Sequence, residues 1–173
     1  MTQVIIYPNG SGGIVLLKPI LECGIPFPEI ARKDVPAGKP YLIVPEDQVP
    51  TDSTFFGAFE ADFSQPYGHG IGSHAWFIEQ YQAEIAAINA ETGPGAPQLF
   101  DAMPMGDIAE LAHIEDDAER QAAYDAYLAR VQAENDALTT QHDAAMAQWK
   151  ASKAQRIEQL NKQIAVQQAE MAA

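Results

Sequence analysis

DDAERQAAYDAYLARVQAENDALTTQHDAAMAQWKASKAQRIEQLNKQIAVQQAEM, residues 116–171, decides how this chain is built. It contains neither glycine nor proline, and the first 115 residues hold all 12 of each. These two residues are the strongest helix breakers, so the chain divides into a turn-rich head and a helical tail. Unbroken, the tail helix would be roughly 80 Å long at ~1.5 Å per residue. A head of this size does not need such a length for its own core. The helix therefore either folds back or meets other copies.

The apolar positions of the tail define the seam expected to do this. From Leu128 the line steps through Val131, Asn135, Leu138, His142, Ala145 and Trp149, alternating three and four residues as in a coiled coil. It then slips and resumes at Ile157, Leu160, Ile164 and Met171. Leu138, Trp149, Leu160 and Met171 also fall eleven apart, the period of a nearly straight or slightly right-handed bundle. Two arrangements fit: an intermolecular bundle with Asn135 and His142 turned inward to fix register, or an antiparallel hairpin bent near Ala151-Ser152-Lys153. The bundle is preferred, because no glycine, proline or asparagine marks a bend there. A homotrimer is the expected oligomer.

Upstream of the tail, Val4-Ile5-Ile6-Tyr7 and Ile14-Val15-Leu16-Leu17 read as a hairpin, joined by Pro8-Asn9-Gly10-Ser11-Gly12-Gly13, which accepts positive φ. A phosphate-cradling loop would continue into a helix with Lys and Ser or Thr, whereas a strand-like run follows this one. Prolines at 26, 28, 36, 40, 45 and 50 punctuate the next segment as turns and strand ends. Within it lie a short helical turn at Phe27–Ala31 and a third strand, Tyr41-Leu42-Ile43-Val44. The aromatics Phe55, Phe59 and Phe63 suit either a helix face or a strand face. With Ile5, Val15 and Leu42 they form the expected head core.

Residues 64–72 read as a flexible joint, and Ser73 as the N-cap of a helix to about Thr92 with a stripe at Phe77, Tyr81, Ile85 and Ile88. Gly93-Pro94-Gly95 stops that helix, and a short helix over Asp107–His113 precedes the tail. The expected class is α+β, in three parts: a β-rich head (1–72), a helix with linker and short helix (73–115), and the helical tail (116–173).

The net charge of −14 argues against nucleic acid and against an anionic membrane. The net negative charge is uneven, with 14 acids against 4 bases in the first 114 residues and 10 against 6 in the rest. No apolar run reaches the ~18 residues of a membrane span, and with no basic-plus-apolar leader the reading is folding in the cytosol. Cys23 is single, which excludes an internal disulfide, and a buried inert thiol is expected. The best metal candidates are His69 and His74 with Glu60 or Asp62, or His142 on a bundle axis. Plain loop or core histidines are the preferred reading. No motif couples a nucleophile to a base, so no catalytic residue, cofactor or metal is expected.

The run Val4-Ile5-Ile6-Tyr7-Pro8-Asn9-Gly10-Ser11-Gly12-Gly13-Ile14-Val15 resembles the opening of small tailed-bacteriophage proteins, in which a VIIYxNxxGGV hairpin occurs. Ala31-Arg32-Lys33-Asp34-Val35-Pro36-Ala37-Gly38 and Phe56-Gly57-Ala58-Phe59-Glu60-Ala61-Asp62-Phe63-Ser64 resemble the segments that follow it in that family. The similarity covers roughly residues 3–72. Phe59 stands where the family usually has tryptophan, and neither the insertion around Pro19–Gly24 nor the long tail is shared. The resemblance implies a virion or virion-assembly role and carries over no site residues. Two functions are expected from it. One is a non-enzymatic structural protein of a tail fibre, fibre adaptor or capsid-attached fibre, docked through its head onto another phage tail or capsid protein and assembled in the host cytoplasm. The other is a tail-fibre assembly chaperone absent from the mature particle.

Overall fold

The computed structural model describes residues 2–19, 24–50 and 60–173. The elements are β1 (Gln3–Pro8), β2 (Ile14–Leu17), α1 (Phe27–Asp34), β3 (Pro40–Pro45), β4 (Gly68–His69), α2 (Ser73–Ala90) and α3 (Asp117–Ala172), with single 3₁₀ turns between some of them. This is an α+β protein with an antiparallel N-terminal sheet and a long C-terminal helix. Two compact units form: residues 1–87 with 159–173, and residues 88–158.

In the first unit the sheet runs β2-β1-β3-β4. The β1–β2 hairpin forms as its glycines suggest. Asn9 Oδ1 accepts from Ser11 N at 2.7 Å and Gly13 N at 3.0 Å, while Gly10 and Gly12 take φ of 87° and 94°. Strand β1 is central: Ile5 pairs with Leu17 on one side and Ile43 on the other. Tyr7 pairs with Val15 of β2, and the ladder to β3 runs from Gln3 to Ile6.

Alternation along β1 feeds two cores, which is why Val4-Ile5-Ile6 is apolar without a polar break. Ile5 joins Ile30, Ala31, Val35 and Tyr41 on the face covered by α1. Val4 and Ile6 join Ile14 and Val49 on the other, with Leu42, Ala61 and Phe63 against them. Of the expected core, Ile5 is fully buried. Val15, Leu42 and Phe63 are half-buried, and Phe55 and Phe59 lie outside the described residues, as does Cys23. The expected list missed Ile30 and Ala31, which α1 supplies, and Val35, which follows it. That helix runs to Asp34, beyond the turn expected at Phe27–Ala31, with proline in its first turn.

Residues 64–72 are not a flexible joint. Tyr67 N donates to Tyr41 O, Gly70 N to Lys39 O, Ile71 N to Arg32 O and Gly72 N to Val35 O, all within 3.2 Å, and Gly38 N donates back to Gly70 O at 2.9 Å. The glycines here permit close approach. A methyl group at Gly68 would lie 2.6 Å from the Tyr41 hydroxyl, and one at Gly70 2.2 Å from the Val35 carbonyl oxygen.

Helix α2 runs from Ser73 to Ala90, so Ser73 is its first residue where an N-cap was expected. Its covered face runs His74, Ile78, Tyr81, Ile85 and Ile88, so Ile78 takes the place assigned to Phe77, which is exposed. Trp76 Nε1 donates to Glu29 Oε2 at 3.0 Å and Arg32 pairs with Glu79, fastening α2 to α1. The Glu79 partner also pushes the Arg32 pKa above its ordinary value, and burial raises that of Tyr41. At the far end of α3, His74 Nδ1 lies 2.8 Å from Gln167 Oε1 and 3.2 Å from Glu170 Oε2.

Candidate interaction surface on the long helix

Helix α3 is uninterrupted over 56 residues, which overturns the hairpin bent near Ala151-Ser152-Lys153. Its start is capped, with Asp116 Oδ1 accepting from Glu119 N at 2.8 Å. Arg120 reinforces the cap by donating to the Ile114 carbonyl and to Asp117.

The slip in the expected seam vanishes once the helix is followed by its covered residues. Arg120, Tyr124 and Tyr127 are half-buried; the pattern repeats eleven residues later at Val131, Asn135 and Leu138, again at His142, Met146 and Trp149, and again at Lys153, Ile157 and Leu160. Ile164 continues it, whereas Met171, expected on the stripe, is exposed. Eleven residues in three turns is about 3.67 per turn, so the stripe stays almost parallel to the axis with no break. Two expected positions change. Met146 replaces the exposed Ala145, and Tyr127 rather than its half-buried neighbour Leu128 fills the repeat. Among the described residues, Val131 is the one buried side chain of the helix.

Within the second unit this stripe is met by the chain's own residues 89–111, a surface that the sequence reading did not provide for. Three polar stripe residues account for much of the attachment. Asn135 holds both backbone groups of Phe100: Phe100 N donates to its Oδ1 at 2.8 Å, and its Nδ2 donates to Phe100 O at 2.9 Å. Asn135 thus has an intramolecular use where a register-setting position on an oligomer axis was expected. Met103 is gripped in the same way. Its N–H donates to the Tyr127 hydroxyl at 3.0 Å, and the Tyr124 hydroxyl donates to its carbonyl at 3.2 Å. Those two rings stack at 6.1 Å, and the Arg130 guanidinium lies 5.7 Å from the Tyr127 centroid.

Lys153, at the supposed slip, donates to the carbonyls of Asn89 at 3.0 Å and Glu91 at 3.4 Å. It closes the C-terminal end of α2, where unpaired carbonyls concentrate negative potential, and its ammonium lies 4.9 Å from the Trp149 centroid. Arg156 pairs with Glu91 at 2.9 Å beside it. Gly93 has negative φ and is not a left-handed helix stop. It is glycine because a methyl group there would meet Met146 Sδ at 2.9 Å and Trp149 Cε3 at 3.0 Å. Replacing Lys153 by methionine keeps the stem and removes the charge. It is expected to lower stability by about 1 kcal/mol, read as a lower thermal midpoint in circular dichroism; an unchanged midpoint would show that the α2 terminus does not need the cation.

The backbone of Phe100 and Met103 is held by α3, yet the side chains of this stretch turn away: Leu99, Phe100 and Met103 are 53%, 56% and 48% exposed. Further along, two 3₁₀ turns, Met105–Asp107 and Ala109–His113, stand where one short helix was expected, and Ile108 between them and Leu111 in the second are buried.

His69 lies exposed in β4 and His74 is engaged by Gln167 and Glu170. Asp62 Oδ1 accepts from Ser64 N at 2.8 Å, which lowers its pKa. Among the described residues no three His, Cys, Asp or Glu side chains converge on a common point that could hold a metal ion. His142 Nδ1 lies 3.5 Å from Asp143, and its Nε2 is shut off from water without a hydrogen-bond partner. No described helix is long and apolar enough to cross a membrane. Comparison with protein-family models, with curated proteins and with solved structures gave no match.

Proposed function

We propose that this chain is a non-enzymatic structural component of a bacteriophage particle, part of or an adaptor for a tail fibre or capsid-attached fibre. In this reading the head docks on a larger phage tail or capsid protein, and α3 is the element through which copies associate, as a trimer. One observation carries the proposal. The segments that resemble phage proteins, β1–β2 and α1 through Gly38, fold onto each other around Ile5 and Val35, and the same chain continues into a 56-residue helix with a repeating covered stripe. A small head joined to a long, regular helix suits a role in positioning other proteins. The high negative charge, −14, favours solubility before assembly and a partner with a basic docking surface.

The test is quantitative mass spectrometry of purified particles from a phage that encodes this chain. A stoichiometric signal, at a fixed copy number per particle, is the expected result. Absence from every particle, with recovery of the chain bound to free fibre protein, would reject the structural role in favour of an assembly chaperone.

A further inference from the structure

We propose that residues 91–104 are a releasable strap, which covers the α3 stripe from Tyr124 to Trp149 while latched and yields it to the α3 of a second copy when released. The proposal rests on the reading that α3 mediates self-association, and adds a device that controls it.

The chemistry of the latch is the first argument. The grip on Phe100 and Met103, both exposed, consists of four hydrogen bonds between their backbone groups and the side chains of Asn135, Tyr124 and Tyr127. Water can replace each of them, so their net contribution is small and detachment strands no buried polar group. Orientation is the second argument. A permanent cover would insert its large apolar side chains into the stripe. This one keeps Leu99, Phe100 and Met103 about half exposed or more and lays its backbone on the helix instead, so these three side chains forfeit little apolar burial on release.

The third argument comes from the stripe. On the covered stripe His142 Nε2 is shielded from water and unpaired, a cost that access to water relieves. The surface then uncovered offers Val131, Leu138, Met146 and Trp149 at eleven-residue register. The matching partner for a straight stripe of that period is another helix with the same period, and a second copy supplies one.

Two variants of the full chain test this from opposite ends of the latch. Asn135→Ala removes the grip on Phe100, and Tyr124→Phe/Tyr127→Phe removes the grip on Met103 while keeping the rings. If the strap moves as a unit, Asn135→Ala speeds amide exchange at Met103, and the tyrosine pair speeds it at Phe100, each by about tenfold. Both variants should also raise the weight-average mass in sedimentation velocity above that of the wild type, with helical content unchanged. Exchange unaltered at the distant site overturns the latch. Faster exchange with an unaltered mass overturns the self-association on which the proposal rests.

Discussion

Gly70→Ala is expected to destabilise the head by about 3 kcal/mol or more, at the upper end of overpacking costs. The added methyl group would lie 2.2 Å from the Val35 carbonyl oxygen, 2.6 Å from its carbon and 2.7 Å from its Cβ. Two of these atoms are backbone, so no rotamer change relieves the clash. Retreat is blocked as well, since Gly70 N donates to Lys39 O and Gly70 O accepts from Gly38 N, both at 2.9 Å. Val35 is fully buried and cannot yield without disturbing Ile5 and Ala31. Gly106→Ala is the control, because a methyl group there meets nothing within 4 Å, and it should change stability by less than ~0.5 kcal/mol. Urea unfolding followed by circular dichroism separates the two; equal midpoints would mean that the 64–72 segment does not sit against Val35.

Ile5→Ala is the second large effect, expected at about 2–5 kcal/mol. Ile5 is fully buried in the central strand and touches the core that α1 closes, between Ile30, Ala31, Val35 and Tyr41. Its neighbours are held by two strand pairings and by α1, so the void cannot collapse easily. A loss under ~1 kcal/mol would place Ile5 near the surface and contradict the two-sided sheet. Ile5→Pro is a harsher change of different meaning: in a central strand it removes a ladder hydrogen bond. It should abolish the folded head.

What the sequence made legible was local. The β-branched runs and the Asn9–Gly13 turn announce the hairpin through residues that pair with neighbours in the chain. The absence of glycine and proline after Asp116 announces α3 in the same way. Long-range reasons stayed hidden. The glycines at 68 and 70 read as looseness, because nothing nearby reveals that Tyr41 and Val35 occupy the space where a side chain would go. Gly93 looked like a helix stop for the same reason, with Trp149 and Met146 far away in sequence. The heptad reading failed at Ala145 because two hydrophobic patterns overlap there. Following Met146, and accepting Lys153 on the stripe, needs the knowledge that Lys153 is consumed by the end of α2. The strap was unreadable, since its Pro/Gly-rich stretch has no periodicity and its attachment uses backbone groups common to every sequence. Asn135, Tyr124 and Tyr127 were the available signal: polar side chains on a stripe need partners, and here the chain supplies them.

The continuity of α3 is tested most directly by a spin-label distance between cysteines introduced at Ala133 and Ala169, exposed positions equidistant from the residue about which a hairpin would turn. Cys23→Ser removes the one native thiol. An unbroken helix predicts a single narrow distribution near about 54 Å at ~1.5 Å per residue. A population at roughly 10–20 Å, the spacing of two helices packed side by side, would contradict it.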